Sequence, residues 1–188
     1  MSEYRTLEYK KVNGSHPVFM DVYSPSLPAT KEAIALPVVV FFHGGALTVG
    51  NRQSFFPTWL KGASLDTFLI NTRRVESHLH LTYSDRVLSL GYAFVSFDYR
   101  LLVPTTAKEV IEDLQDAFTF VVNNEIQGKD YTFKLDEGRI AVAGNSAGGL
   151  CAVLATIHCT PRPKVLIDIY GMGGNFFVSL TYNFIYTL

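Results

Sequence analysis

Val18, Met20 and Val22 fall at every second position of Pro17–Tyr23, the period of a strand with one buried face. Pro25 and Pro28 then mark a loop. Leu36–Phe42 and Tyr92–Phe97 are instead continuous apolar runs, the pattern of strands buried on both faces. Between Lys108 and Glu125 the period changes. Val110, Ile111, Leu114, Phe118, Val121 and Val122 there fall on one side of an amphipathic helix. Arg139–Ala143 predicts a short strand, Ser146–His158 a helix rich in Ala and Leu, and Val165–Tyr170 a further strand. Two early strands followed by strand–helix alternation predict an α/β sandwich, with a mostly parallel sheet flanked by helices.

One segment does not fit. A parallel crossover from Phe42 to Tyr92 requires a helix, yet residues 62–84 show weak periodicity and contain Asn71-Thr72-Arg73-Arg74 and His78-Leu79-His80. With that stretch removed, Lys61 meets Asp85. Trp59, Leu60, Val87, Leu88 and Leu90 then fall on one helix face, which Gly91 would stop. Residues 62–84 are therefore expected to be an insertion, of the kind a retained intron gives. An ordinary surface excursion or cap is the alternative.

At 188 residues the chain has room for one domain with a sizeable core and not for two. Its 48% hydrophobic and 18% charged content is that of a globular protein. A net charge of -1 gives no surplus of cations for nucleic acid or an anionic membrane. Cys151 and Cys159 lie eight apart on one predicted helix, about 12 Å of rise, which is beyond disulfide reach. Met1–Lys11 is charged and lacks the apolar stretch of a signal peptide, so a cytoplasmic location is expected. On the same ground the Asn13-Gly14-Ser15 sequon is read as chance. Phe176–Leu188, 13 residues, is the longest strongly apolar stretch and falls short of the ~20 needed for a transmembrane span.

Chemistry enters at Gly144-Asn145-Ser146-Ala147-Gly148, a G-x-S-x-G sequence between a predicted strand and a predicted helix. In that setting a sharp turn lifts Ser146 above the sheet edge. The helix start behind it presents backbone N–H groups and a positive dipole end to a developing oxyanion. An acyl-transfer site needs a second donor to that oxygen. His43-Gly44-Gly45-Ala46, directly after a buried strand, can bring a backbone amide close. His43 precedes the serine and lies at the base of this loop, so it is read as shaping the loop and not as a base. A Walker A site is excluded, because no Lys follows Gly144–Gly149. A dinucleotide fingerprint at Gly171-Met172-Gly173-Gly174 fails, because Phe176 stands where the last glycine belongs. Cys151, His158 and Cys159 do not converge on a metal, and no cofactor is expected.

The HGG loop, the G-x-S-A-G-G elbow and Asp98-Tyr99-Arg100-Leu101 after the second apolar run together resemble the α/β-hydrolase fold. Within that fold the chain is similar to the hormone-sensitive-lipase-like esterases (α/β hydrolase fold-3). The resemblance runs from about Val38 to Gly174. It implies that Ser146 is the nucleophile, that the backbone N–H groups of Gly44, Gly45 and Ala147 form the oxyanion hole, and that His43, Asp98 and Arg100 are structural, Asp98 and Arg100 in a network behind the oxyanion loop. It implies a small-molecule acyl substrate such as a carboxylic ester. The chain departs from the family pattern at Ala46, often a third glycine, and at Asn145, often acidic.

In this fold the acid and then the base follow the serine. After Ser146 there are only His158, at the far end of the same helix, and Asp168, inside the next strand, with no histidine beyond it. Neither is expected to serve in a triad. The chain is therefore expected to be incomplete at its C-terminal end, with residues 175–188 a non-family tail and catalysis weak or absent. The alternative is a non-catalytic, small-molecule-binding domain. Plant gibberellin receptors resemble the same family and hold a ligand without the catalytic histidine.

Overall fold

Asn13 and Gly14, both at positive φ, turn the chain between its first two strands. A computed structural model describes residues 4–54 and 87–172. The expected insertion at 62–84 and tail at 175–188 lie outside the described residues, as do His78 and His80. β1 (Tyr4–Val12) pairs antiparallel with β2 (His16–Tyr23). β3 (Ile34–Phe42) and β4 (Ala93–Phe97) follow, then helix α1 (Ala107–Asn123), β5 (Ile126–Gln127) and β6 (Thr132–Asn145). Helix α2 (Ala147–His158) and β7 (Val165–Ile169) complete the series.

The sheet runs β1-β2-β4-β3-β6-β5, with β7 also on β6. β4, β3, β6 and β7 are parallel neighbours, whereas β2 joins β4 antiparallel. This is the mostly parallel α/β sheet that the hydrophobic pattern predicts. The two apolar runs are buried on both faces because their residues alternate between two cores. Val38, Val40, Phe42, Val95 and Phe97 pack with the inner faces of both helices, while Val39, Phe41 and Phe94 pack with Val87 on the opposite side.

α1 begins one residue before its predicted start and ends two before its predicted end. Thr106 and Glu109 form a capping box, with the Glu109 amide donating to Thr106 and the Thr106 amide to the Glu109 carboxylate. Residues 87–89 are helical and close in a Schellman turn. Gly91 N–H donates to Leu88 O and Tyr92 N–H to Val87 O, with Gly91 at φ +79. Val87 and Leu88 are buried, but Leu90 is 53% exposed, so it leaves the face assigned to it.

β6 starts seven residues earlier than the apolar count at Arg139 indicates. Phe133 and Leu135 are buried and Lys134 is exposed, an alternation that extends the strand through an irregularity before Ile140. Cys151 and Cys159 are free thiols, and burial pushes each up to about 12. Among the described residues no helix is long and apolar enough to cross a membrane.

Candidate active site

The register of β3 against β6 sets the site. Phe42 pairs with Gly144 at the carboxyl ends of two parallel strands, so the segments that leave them emerge side by side. Open parallel sheets place their ligand crevices at this end. One segment is His43-Gly44-Gly45 and the other is Asn145-Ser146-Ala147.

Ser146 sits at φ 52°, ψ -121°, between β6 and α2. A residue with a β-carbon is strained by about 1–3 kcal/mol in such a conformation, so the surroundings must hold it. Ser146 N–H donates to Ile169 O at 3.1 Å, and Ser146 O accepts from Gly149 N–H at 3.0 Å and Met172 N–H at 2.8 Å. The side chain makes no capping bond to the helix it precedes, and the residue is half-buried. Ala147 is the first residue of α2 and has no intrahelical acceptor for its N–H.

The elbow is tight enough to require its glycines. A β-carbon on Gly144 would collide with the Gly148 carbonyl, and one on Gly148 with the Phe42 carbonyl. Gly44 lies directly against the serine. A β-carbon there would stand 3.4 Å from Ser146 Cβ and 3.1 Å from Asn145 O. Among the described residues no acceptor takes the N–H of Gly44 or Gly45. The structure thus brings Ser146, Ala147, Gly44 and Gly45 together.

His43 is fully buried, stacks on Tyr99 and donates from Nδ1 to Gly44 O at 2.7 Å. A carbonyl only accepts, so the proton sits on Nδ1. Burial holds the imidazole below its ordinary value against the opposing Gly44 bond and the Asp98 charge. It is a neutral ring that fixes the peptide beside it. The Tyr99 hydroxyl donates to His43 O at 2.6 Å.

Asp98 binds Arg52 of the same loop, at 2.7 Å to its N–H and 2.6 Å to Nη1. Arg100 turns the other way. It pairs with Glu109, Glu112 and the fully buried Asp113 of α1, so it braces that helix. Sequence reasoning missed Arg52 and its second partner, the buried Asp21, whose place in the alternation of β2 reads only as the outward side. His158 lies at the far end of α2, twelve residues or about 18 Å from Ser146. Asp168 lies in β7 opposite Gly144, with its carboxylate against the backbone of Gly149 and Gly171.

A strained serine between a parallel strand and a helix, flanked by a diglycine loop from the neighbouring strand, defines the α/β-hydrolase class. The chain belongs to the BD-FAE family, which matches residues 66–163. It is similar to the probable carboxylesterase M8 of Phoma sp., with 29% identity over 168 residues, 87% of this chain and 45% of that protein. It is also similar to the esterase LipI of Mycobacterium tuberculosis, with 30% identity over 154 residues, 81% of this chain and 38% of that protein. The chain therefore spans less than half the length of these curated relatives. The structure of a thermophilic esterase from Thermogutta terrifontis shares the fold, with a TM-score of 0.53, 20% identity, and coverage of 82% of this chain and 45% of that one.

Proposed function

We propose that this chain carries the nucleophile and oxyanion-binding part of a serine hydrolase that acts on carboxylic esters or similar small acyl substrates. The observation that carries the reading is the contact of the Gly44 backbone with Ser146, which sets backbone amides with no acceptor among the described residues beside a strained serine. Ser146 Oγ attacks the ester carbonyl carbon, and the carbonyl electron pair moves onto oxygen. The N–H groups of Gly44, Gly45 and Ala147 receive that oxyanion. The carbonyl re-forms as the C–O bond to the alcohol breaks, and the alcohol leaves with a proton. Water then attacks the acyl-serine by the same route, releases the acid and returns the proton to Ser146. Amides fixed in advance pay no reorganisation during the reaction, and losing one such donor lowers turnover by about 10²–10³.

The proton of Ser146 needs a base. Neither His158, at the far end of α2, nor Asp168, against Gly149 and Gly171, is set at the serine hydroxyl. Without triad partners, turnover falls by about 10⁴–10⁶ and only oxyanion binding and positioning remain. The same observation favours the second reading, a binding domain that retains the elbow.

A fluorophosphonate probe tests the two. Labelling that is lost in Ser146→Ala supports the hydrolase. Saturable binding of a small ligand with no labelling supports the binding domain.

A further inference from the structure

The loop that presents Gly44 and Gly45 is strained. Its own bonds, from the Thr48 and Val49 N–H groups to Gly45 O at 2.9 and 3.0 Å and from Leu102 N–H to Leu47 O at 2.6 Å, leave its outgoing limb beyond Val49 to be held from outside. Ala46 and Leu47 lie at φ 54° and 59°, a region that residues with a β-carbon avoid. Such a backbone persists only where its surroundings over-determine it. Its incoming limb continues β3. Its outgoing limb ends at Arg52, which the sheet grips by three separate handles. The Arg52 N–H and Nη1 donate to Asp98 at 2.7 and 2.6 Å, Nε donates to Asp21 at 2.8 Å, and the carbonyl accepts from Ser96 Oγ at 2.6 Å.

We propose that Arg52 is a positioning residue of the acyl-transfer site, fixing the outgoing limb of the His43–Gly50 loop to β2 and β4 so that the Gly44 and Gly45 amides stay against Ser146. The effect on turnover rests on the hydrolase reading; the effect on the loop does not. The mechanical path is short. Gly50 packs on the amide-bearing end of the loop, where a β-carbon would stand 2.7 Å from His43 Nδ1 and 2.9 Å from Gly44 O. A displacement at Arg52 therefore reaches the Gly44 peptide through one intervening residue pair.

Exposed ion pairs rarely hold a backbone in place. This one differs, because Asp21 is fully buried, and its remaining bonds among the described residues come from Thr6 at 2.7 Å and Gln53 at 2.9 Å. The planar fork of an arginine reaches two carboxylates at once, which a lysine cannot do with the same geometry.

Hydrogen exchange of the peptide spanning residues 43–50 and Ser146-dependent hydrolysis of p-nitrophenyl acetate test the proposal in the full chain. The proteins compared are the wild type, Arg52→Ala, Arg52→Lys, Ser146→Ala and the control Arg139→Ala, which removes an exposed pair with Asp136. Arg52→Ala should raise exchange in this peptide about tenfold and Arg52→Lys less, with Arg139→Ala unchanged. Ser146-dependent kcat should fall about tenfold or more while KM stays within about twofold, the signature of a donor lost from the transition state. Exchange in Arg52→Ala that matches Arg139→Ala overturns the proposal, as does a loss confined to KM. Equal fluorophosphonate labelling of wild type and Ser146→Ala instead overturns the hydrolase reading, and the exchange comparison still decides the role of Arg52. If Arg52→Ala does not fold, Arg52→Lys carries both comparisons.

Discussion

The Tyr99 hydroxyl donates to the His43 carbonyl at 2.6 Å while the two rings stack with centroids 4.4 Å apart and planes 8° from parallel. One side chain thus holds the base of the oxyanion loop through both its polar and its apolar part. Burial keeps the phenol well above its usual value, so it remains a donor at any physiological pH. Tyr99→Phe keeps the stack and orphans a buried carbonyl, at a cost of about 1–3 kcal/mol. Urea denaturation should show that loss with an unchanged m-value.

Ser146→Gly should separate stability from reactivity. Glycine adopts φ 52° freely, so the strain held at the elbow is released, and a gain of about 0.5–1 kcal/mol is expected. Fluorophosphonate labelling should vanish in the same variant. Ser146→Ala should abolish labelling without the gain, because its β-carbon keeps the strain. Thermal melts of the three proteins make the comparison.

His43 gives stability a pH dependence of known sign. Burial depresses its folded value below the ordinary 6.5, so the unfolded chain binds a proton first as pH falls. Its contribution is constant above that pH and declines between 6.5 and the depressed folded value, by at most about 1.4 kcal/mol per pH unit. Urea midpoints at several pH values should show this slope in the wild type, and the slope should shrink in His43→Asn.

Asp113 ties α1 to β1 and to the segment that follows β4. Its carboxylate is fully buried and accepts from Lys10 Nζ of β1 at 2.6 Å and from the Arg100 backbone N–H at 2.8 Å, while it belongs to α1. Asp113→Ala leaves two cations without their buried partner, and a loss of about 3–5 kcal/mol is expected. Chemical denaturation would measure it. Lys108→Ala, which removes an exposed i,i+4 pair with Glu112, should cost no more than about 0.5 kcal/mol.

The elbow and the diglycine loop were legible in the sequence because their chemistry is local: small residues must flank the serine, and glycine must approach it. The central strands were legible because burial on both faces leaves no polar position to mislead. β1 was not. Tyr9 is its one buried residue, and Arg5, Glu8, Lys10 and Lys11 disguise an edge strand. The Asn13-Gly14 turn ahead of Pro17–Tyr23 was the available signal. The Arg52–Asp21 pair joins residues 31 apart, brought together only because β2 lies antiparallel beside β4. No spacing rule on one chain contains that adjacency.

The amide of the nucleophile is bonded to Ile169 and its carbonyl to Met172, so the stance of Ser146 is coupled mechanically to the exit of β7. A substitution or insertion between Ile169 and Met172 would therefore act on the reactive hydroxyl as directly as one at the elbow.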